Sequence, residues 1–213
     1  YAIDRQGLVD GILGGYGKPV IEFLTPAHEG FVPDVKPLPY DPAKAKALVA
    51  AAGAAAKTAI ELLDAPTFDQ RVVQAVQQML TEAGLKVDIN MRDMVTYMQR
   101  AQAAPDSSPQ MNFSRWSCAC QDADGVLFPV LHSSSIWSVY RNPAVDKLLE
   151  DARSTLDEKR RLADYRQVHE IVARDVPIVP LYEDAAIYGA ARALQWQPTP
   201  NESMFLNRMS WKE

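Results

Sequence analysis

Cysteine and histidine are both scarce in this chain, with two and three residues among 213. Two cysteines cannot build a disulfide framework. With no second cysteine pair they are also a poor start for the four ligands of a structural zinc site. Positive charge is not in excess: 22 Lys and Arg face 27 Asp and Glu, for a net charge of −5. Nucleic-acid binding draws on clustered cations, and this balance gives no such footprint. The densest basic run, Lys159-Arg160-Arg161, sits beside Asp157, Glu158 and Asp164 and is expected to be a solvated helix face. No stretch approaches the roughly 20 consecutive apolar residues of a membrane-spanning helix. Nucleophile-elbow, phosphate-loop and dinucleotide fingerprints are missing as well. His169-Glu170 is not a zinc-protease motif, because Ala173 stands where the second histidine is needed. No cofactor is called for.

What is present is an apolar fraction of 47% against 23% charged residues, enough to bury one core of ordinary size. Residues 2–13 read as a helix ended by Gly14-Gly15. A connection containing Pro19, Pro26, Pro33, Pro37 and Pro39 excludes a central strand. Asp41-Pro42 reads as an N-cap with proline at the first helical position, opening a helix that Gly53 stops. Residues 58–64 predict a strand buried on both faces. Thr67 and Gln70 have capping-box spacing before a helix with the stripe Phe68, Val72, Val76, Met79 and Ala83. Gly84 closes it, and residues 85–91 alternate as a strand does. Strand, helix and strand at this spacing predict a parallel crossover, so the fold class is α/β. Further expectations are a helix over 94–103, a strand over 111–116 and a helix opened by Asn142-Pro143. A helix with the stripe Leu162, Tyr165, Val168 and Val172 should end before Pro177, with strands over 178–182 and 185–190. The tail from Gln195 has no clean period.

In open α/β sheets, ligands collect beyond the carboxyl ends of strands. The strand ending at Trp116 feeds Ser117-Cys118-Ala119-Cys120-Gln121-Asp122-Ala123-Asp124-Gly125, a polar, turn-rich loop led by an aromatic. Trp116, Ser117, Cys118, Ala119 and Asp122 are therefore candidate ligand contacts, and Tyr97 and Trp137 are aromatics placed to reach the same cleft. Tyr16 and Tyr140 could reach it as well, and each of these four aromatics is more often core than ligand contact. Asp122 and Asp124 both also read as helix caps. For Cys118 and Cys120 the favoured reading is two small, half-buried residues not bonded to each other, binding no metal. A disulfide across one extended residue lies near the limit of bridge geometry and needs a tight turn.

Four stretches occur in a telling order: YAIDRQGLVDGILGGYGKPV, then TAIELLDAPTFDQRVVQAVQQMLTEAGLKVDINM, FSRWSCACQDADGVLFPVLHSSS, and YRNPAVDKLLEDARSTLDEKRRLADYRQVHEIVARDVPIVPLYEDAAIYGA. So ordered, the chain resembles the C-terminal lobe of the family 5 extracytoplasmic solute-binding proteins of peptide- and nickel-type ABC transporters. The resemblance implies an open, mostly parallel sheet flanked by helices, as in a type II periplasmic-binding lobe, and no chemistry on the ligand. It implies a periplasmic or extracytoplasmic location, a lipid anchor on the parent protein being one form. The implied partners are a small solute (peptide, sugar or opine-like), a membrane permease and an N-terminal lobe that precedes the YAIDR stretch in the family. The chain is thus expected to be a lobe over 1–193 with a tail, 194–213, that returns to that first lobe. Trp116 matches the family's ligand-contacting aromatic. Peptide-binding members carry an aspartate three residues later, where this chain has Ala119, which weakens anchoring of a peptide by its amino group. The alternative is a small thiol-dependent enzyme using Cys118 or Cys120 with His132 as base, whose oriented base and oxyanion site the sequence does not fix.

Overall fold

The computed structural model describes residues 1–20, 22–35 and 38–212, so Pro37 lies outside the described residues. The chain opens with a short helix, α1 (Arg5–Gly7), capped by the Asp4 carboxylate, which accepts from the Gly7 N–H at 2.9 Å. It continues as a single wide turn over Leu8–Ile12. The predicted helix over 2–13 is therefore two short pieces of different winding. A two-residue strand, β1 (Lys18–Pro19), is followed by α2 (Pro42–Ala52), with Asp41 as N-cap and Pro42 at the first position, as the sequence predicts.

The sheet forms around β2 (Ile60–Asp64). Helix α3 (Gln70–Glu82) leads to β3 (Val87–Met91), which lies parallel to β2 with Ile60 opposite Val87. Helix α4 (Met94–Ala101) leads to β4 (Met111–Asn112), parallel to β2 on its other side, giving the order β3-β2-β4. Successive side chains of a strand point to opposite faces. Accordingly Leu62 packs with Val73 of α3, whereas Leu63 packs with Tyr97 and Ala101 of α4. Both faces are covered, which explains why β2 is a nearly continuous apolar run. The α/β class holds. Helix α3 starts later than its capping-box spacing suggests: Asp69 is the cap, and the Gln70 amide donates to the Ala65 and Phe68 carbonyls. Regular pairing of β4 ends at Asn112, although the Phe113 N–H still donates to the Leu63 carbonyl.

Three helices make a second core beside the sheet: α5 (Asp124–Leu131), α6 (Pro143–Ser154, capped by Asn142) and α7 (Glu158–Asp175). Leu127, Leu131, Val145, Leu149, Tyr165 and Val168 are all sealed inside it. Burying side chains of this size is worth about 1.5–3 kcal/mol each. The predicted α7 stripe is correct except at Leu162, which is exposed. Of the two strands predicted after α7, the first forms only at its final residue, where β5 (Tyr182–Glu183) pairs antiparallel with β1. Residues 185–190 find no partner strand among the described residues, and Ile187 is left exposed. The tail contains β6 (Leu194–Gln195) and β7 (Ser210–Trp211), which pair with each other and with no other strand among the described residues.

Candidate functional site

The loop between β4 and α5 is built from three local causes. First, Gln121 adopts a left-handed φ of 51°, and its N–H donates back to the Cys118 carbonyl at 3.2 Å. That turn draws the Cys118 and Cys120 Cα atoms to 5.2 Å, inside bridging range, and the two sulfurs are bonded to each other. The unpaired state favoured by the sequence is overturned. An extended chain would have held the cysteines too far apart, and this chain is not extended here. Second, Gly125 is the residue on which the bridge rests. A Cβ at that position would stand 2.3 Å from the Cys118 sulfur and 2.4 Å from the Cys120 sulfur. Glycine is required for this close approach, not for an unusual φ.

Third, Asp122 anchors the loop. Its carboxylate accepts from the Asp124 N–H at 2.8 Å, starting α5, and receives the Arg161 guanidinium at 2.7 and 2.8 Å. Arg161 also pairs with Glu29, whose backbone bridges that of Asp122. Burial alone would push the Asp122 carboxyl up, but Arg161 and the Asp124 N–H outweigh it and hold the group below the usual aspartate range. Asp124 goes the other way: burial raises it, and Arg153 at 3.1 Å only partly compensates. Of the two aspartates read as caps neither holds the N-cap position, which is Ala123. Asp122 stands just before it and accepts the Asp124 N–H, and its engagement by Arg161 leaves it poorly placed to meet a ligand. Arg161 is not the solvated residue its basic run suggested, with a side chain only 17% exposed.

Around this loop two candidate aromatics meet. Trp116 is 38% exposed, donates its indole N–H to the Gly125 carbonyl at 3.1 Å, and stands edge-on to half-buried Trp137 with ring centroids 5.7 Å apart. Ser117, Ala119 and Cys120 are exposed beside them and Cys118 is half-buried. Tyr97 does not join this group. It is buried, donates its hydroxyl to the Phe113 carbonyl at 2.7 Å and packs edge-on to Phe68. Burial, with Asp64 nearby, pushes its phenol up to about 12. Tyr140 is bound into a network with Asp175 and Asn142, and Tyr16 is exposed. His132 is buried, stacked on Phe128, and engaged by the Ser134 N–H and by Glu150. With both cysteines bonded, the thiol-enzyme alternative has no free nucleophile, and His132 is already occupied.

Three contributors escape sequence reading. Arg161 lies 39 residues from Asp122, and no local pattern announces that pair. Asn201 of the tail donates to the Ala119 carbonyl at 3.3 Å, also unannounced. Gly125 did carry a signal, as a glycine in the first turn of a helix, where it costs stability unless something packs against it.

The family described as bacterial extracellular solute-binding proteins, family 5 Middle, matches residues 1–138. The glutathione-binding protein GsiB of Salmonella paratyphi A is 29% identical over 208 residues, covering 91% of this chain and 40% of GsiB. Its Escherichia coli K12 counterpart is 28% identical with the same coverage. The chain thus spans about 40% of the length of these relatives. Among solved structures, the periplasmic binding protein DppA of Helicobacter pylori, in complex with the peptide STSA, superposes with a TM-score of 0.78 at 26% identity, covering 86% of this chain and 36% of DppA. The substrate-binding protein CtaP of Listeria monocytogenes gives 0.86 at 23%, covering 100% of this chain and 46% of CtaP. The architecture is accordingly that of a type II periplasmic-binding lobe, and the chain belongs to the family 5 bacterial extracellular solute-binding proteins.

Proposed function

We propose that this chain is one wall of a binding site for a peptide-like solute, captured outside the cytoplasm for an ABC-type importer and not chemically turned over. The observation that carries the reading is the Trp116–Trp137 pair beside the exposed loop 117–120, at the carboxyl end of β4. An aromatic platform beside a largely exposed loop suits an extended peptide, whose side chains need apolar surface. The peptide class is favoured because GsiB is named for glutathione and DppA was solved with a peptide. Ala119 offers no carboxylate to a ligand ammonium, so recognition here rests on stacking and backbone contacts. In a protein of the relatives' length, residues beyond this chain would supply the facing wall, and hinge closure would present the closed form to a permease.

Calorimetric titration of short peptides and of glutathione tests the reading. The 213-residue chain is expected to bind weakly, and Trp116→Ala is expected to abolish the signal. Tight binding that survives Trp116→Ala would place the ligand elsewhere.

A further inference from the structure

Beyond holding the loop, the Cys118–Cys120 bridge has the layout of a reactive disulfide. Cys120 is the more exposed residue of the two, Cys118 being half-buried. The Cys118 sulfur has a built-in donor: the Cys120 N–H points at it at 3.3 Å. Both sulfurs rest on Gly125, in the first turn of α5. The amino end of a helix carries a positive dipole end, which lowers the energy of a neighbouring thiolate. Here Asp122 already accepts the Asp124 N–H, so the direct donor to the sulfur is the Cys120 N–H. A thiolate on Cys118 would be a good leaving group, and the leaving group's acidity governs how fast a disulfide exchanges. The Trp116–Trp137 pair stands beside the same loop.

We propose that Cys118–Cys120 is a thiol-exchange site in the ligand wall, taking a thiol-bearing peptide as a reversible mixed disulfide on Cys120. This rests on the reading that the loop lines the peptide site. In the forward step the ligand thiol gives its proton to solvent and its sulfur attacks the sulfur of Cys120, the more exposed of the two residues. A ligand–Cys120 S–S bond forms, the Cys118–Cys120 bond breaks, and its electron pair leaves on Cys118 as a thiolate. One disulfide replaces another, so no outside oxidant or reductant is needed. In reverse, the Cys118 thiolate attacks Cys120, restores the bridge and expels the ligand thiolate. The cycle is stoichiometric capture and release.

The test exposes the chain at neutral pH to reduced glutathione, to S-methylglutathione and to 2-mercaptoethanol, with intact mass, free-thiol counts and peptide mapping as readouts. Expected are one glutathionyl group on Cys120, one new thiol on Cys118, and loss of the adduct when glutathione is removed. At equal thiolate concentration glutathione should react about tenfold or more faster than 2-mercaptoethanol, because binding places its sulfur. Trp116→Ala should erase that advantage, and S-methylglutathione should slow the reaction by competing. No adduct, or an adduct on Cys118, overturns the exchange site. If S-methylglutathione still perturbs the Trp116 indole signal in such a case, the peptide-site reading stands without it. Equal rates for the two thiols together with no competition would overturn both.

Discussion

At the scale of single residues, Gly125 is the position with least freedom to change. Gly125→Ala would put a methyl group within 2.4 Å of both bridge sulfurs. The bridge or the first turn of α5 must then give way. The expected outcome is a large rise in titratable thiols after mild reductant and a loss of about 1–3 kcal/mol in chemical unfolding, as for other overpacked sites. Unchanged thiol reactivity and stability would show that the bridge does not rest there.

Glu22 and His169 form a second, buried pair, with the His169 Nδ1 3.0 Å from a Glu22 carboxylate oxygen. Burial pushes Glu22 up to about 7 and His169 down to about 4. Arg166, one turn back on α7, also lowers His169, and Arg5 lines the same small cavity. Glu22 contributes stability that is present below its ordinary 4.5 and lost as pH rises toward 7. His169 contributes stability that is present above its ordinary 6.5 and lost as pH falls toward 4. In the window between 4.5 and 6.5 the two slopes oppose, so the natural pair should show little pH dependence. Glu22→Gln should expose the histidine slope, with stability falling as pH drops through that window. His169→Gln should expose the opposite slope. Urea melts across the window decide it, and two flat variants would contradict the burial shifts of both groups.

At the scale of elements, Arg161 joins the long helix α7 to the site loop and to the segment around Glu29. Arg161→Met is expected to cost about 2 kcal/mol, because it leaves the Asp122 carboxylate without its charged partner. The Asp122 carboxyl should then titrate above its ordinary value, since burial becomes the dominant influence. In the natural protein the Arg161 contribution is lost as pH falls through the depressed Asp122 pKa. Carboxyl titration by NMR reads both effects, and an Asp122 that does not move would remove Arg161 from the loop.

Element by element, the sequence was informative where local chemistry decides. Asp41-Pro42 and Asn142-Pro143 cap their helices as read, Gly84 ends α3, and β2 and β3 pair in parallel as the crossover predicts. It misled where a distant partner decides. Residues 185–190 are apolar enough for a strand but find no partner strand among the described residues. Tyr97 was legible as an aromatic at a helix start, more often core than contact, but its hydroxyl's partner was not, because the Phe113 carbonyl lies just past β4. In the site, Trp116 and Trp137 were legible, while the bridge was not, since it depends on the left-handed turn at Gln121.

At the scale of the whole molecule, the tail is the least integrated part. Met204, Leu206 and Trp211 are exposed, and Leu206 is 76% open to solvent. Its ties to the rest include Trp196 edge-on to Tyr188, Glu202 with Arg115, Asn201 with the Ala119 carbonyl, and the Lys212 N–H with the Ala193 carbonyl. None draws on either core. Truncation after Ala193 is therefore expected to lower the unfolding free energy by about 1 kcal/mol or less. A large drop in melting temperature would instead make residues 194–213 part of the lobe.

The central claim is that peptide ligands meet this chain at the Trp116–Trp137 platform, and the chain's four tryptophans allow a direct test. In 1H–15N spectra of labelled chain, each indole N–H gives its own signal. Titrating in a short peptide or S-methylglutathione should shift the Trp116 and Trp137 indoles together and leave those of Trp196 and Trp211 in place. Shifts confined to Trp196 and Trp211, or four indoles unmoved while other resonances saturate, would contradict the account.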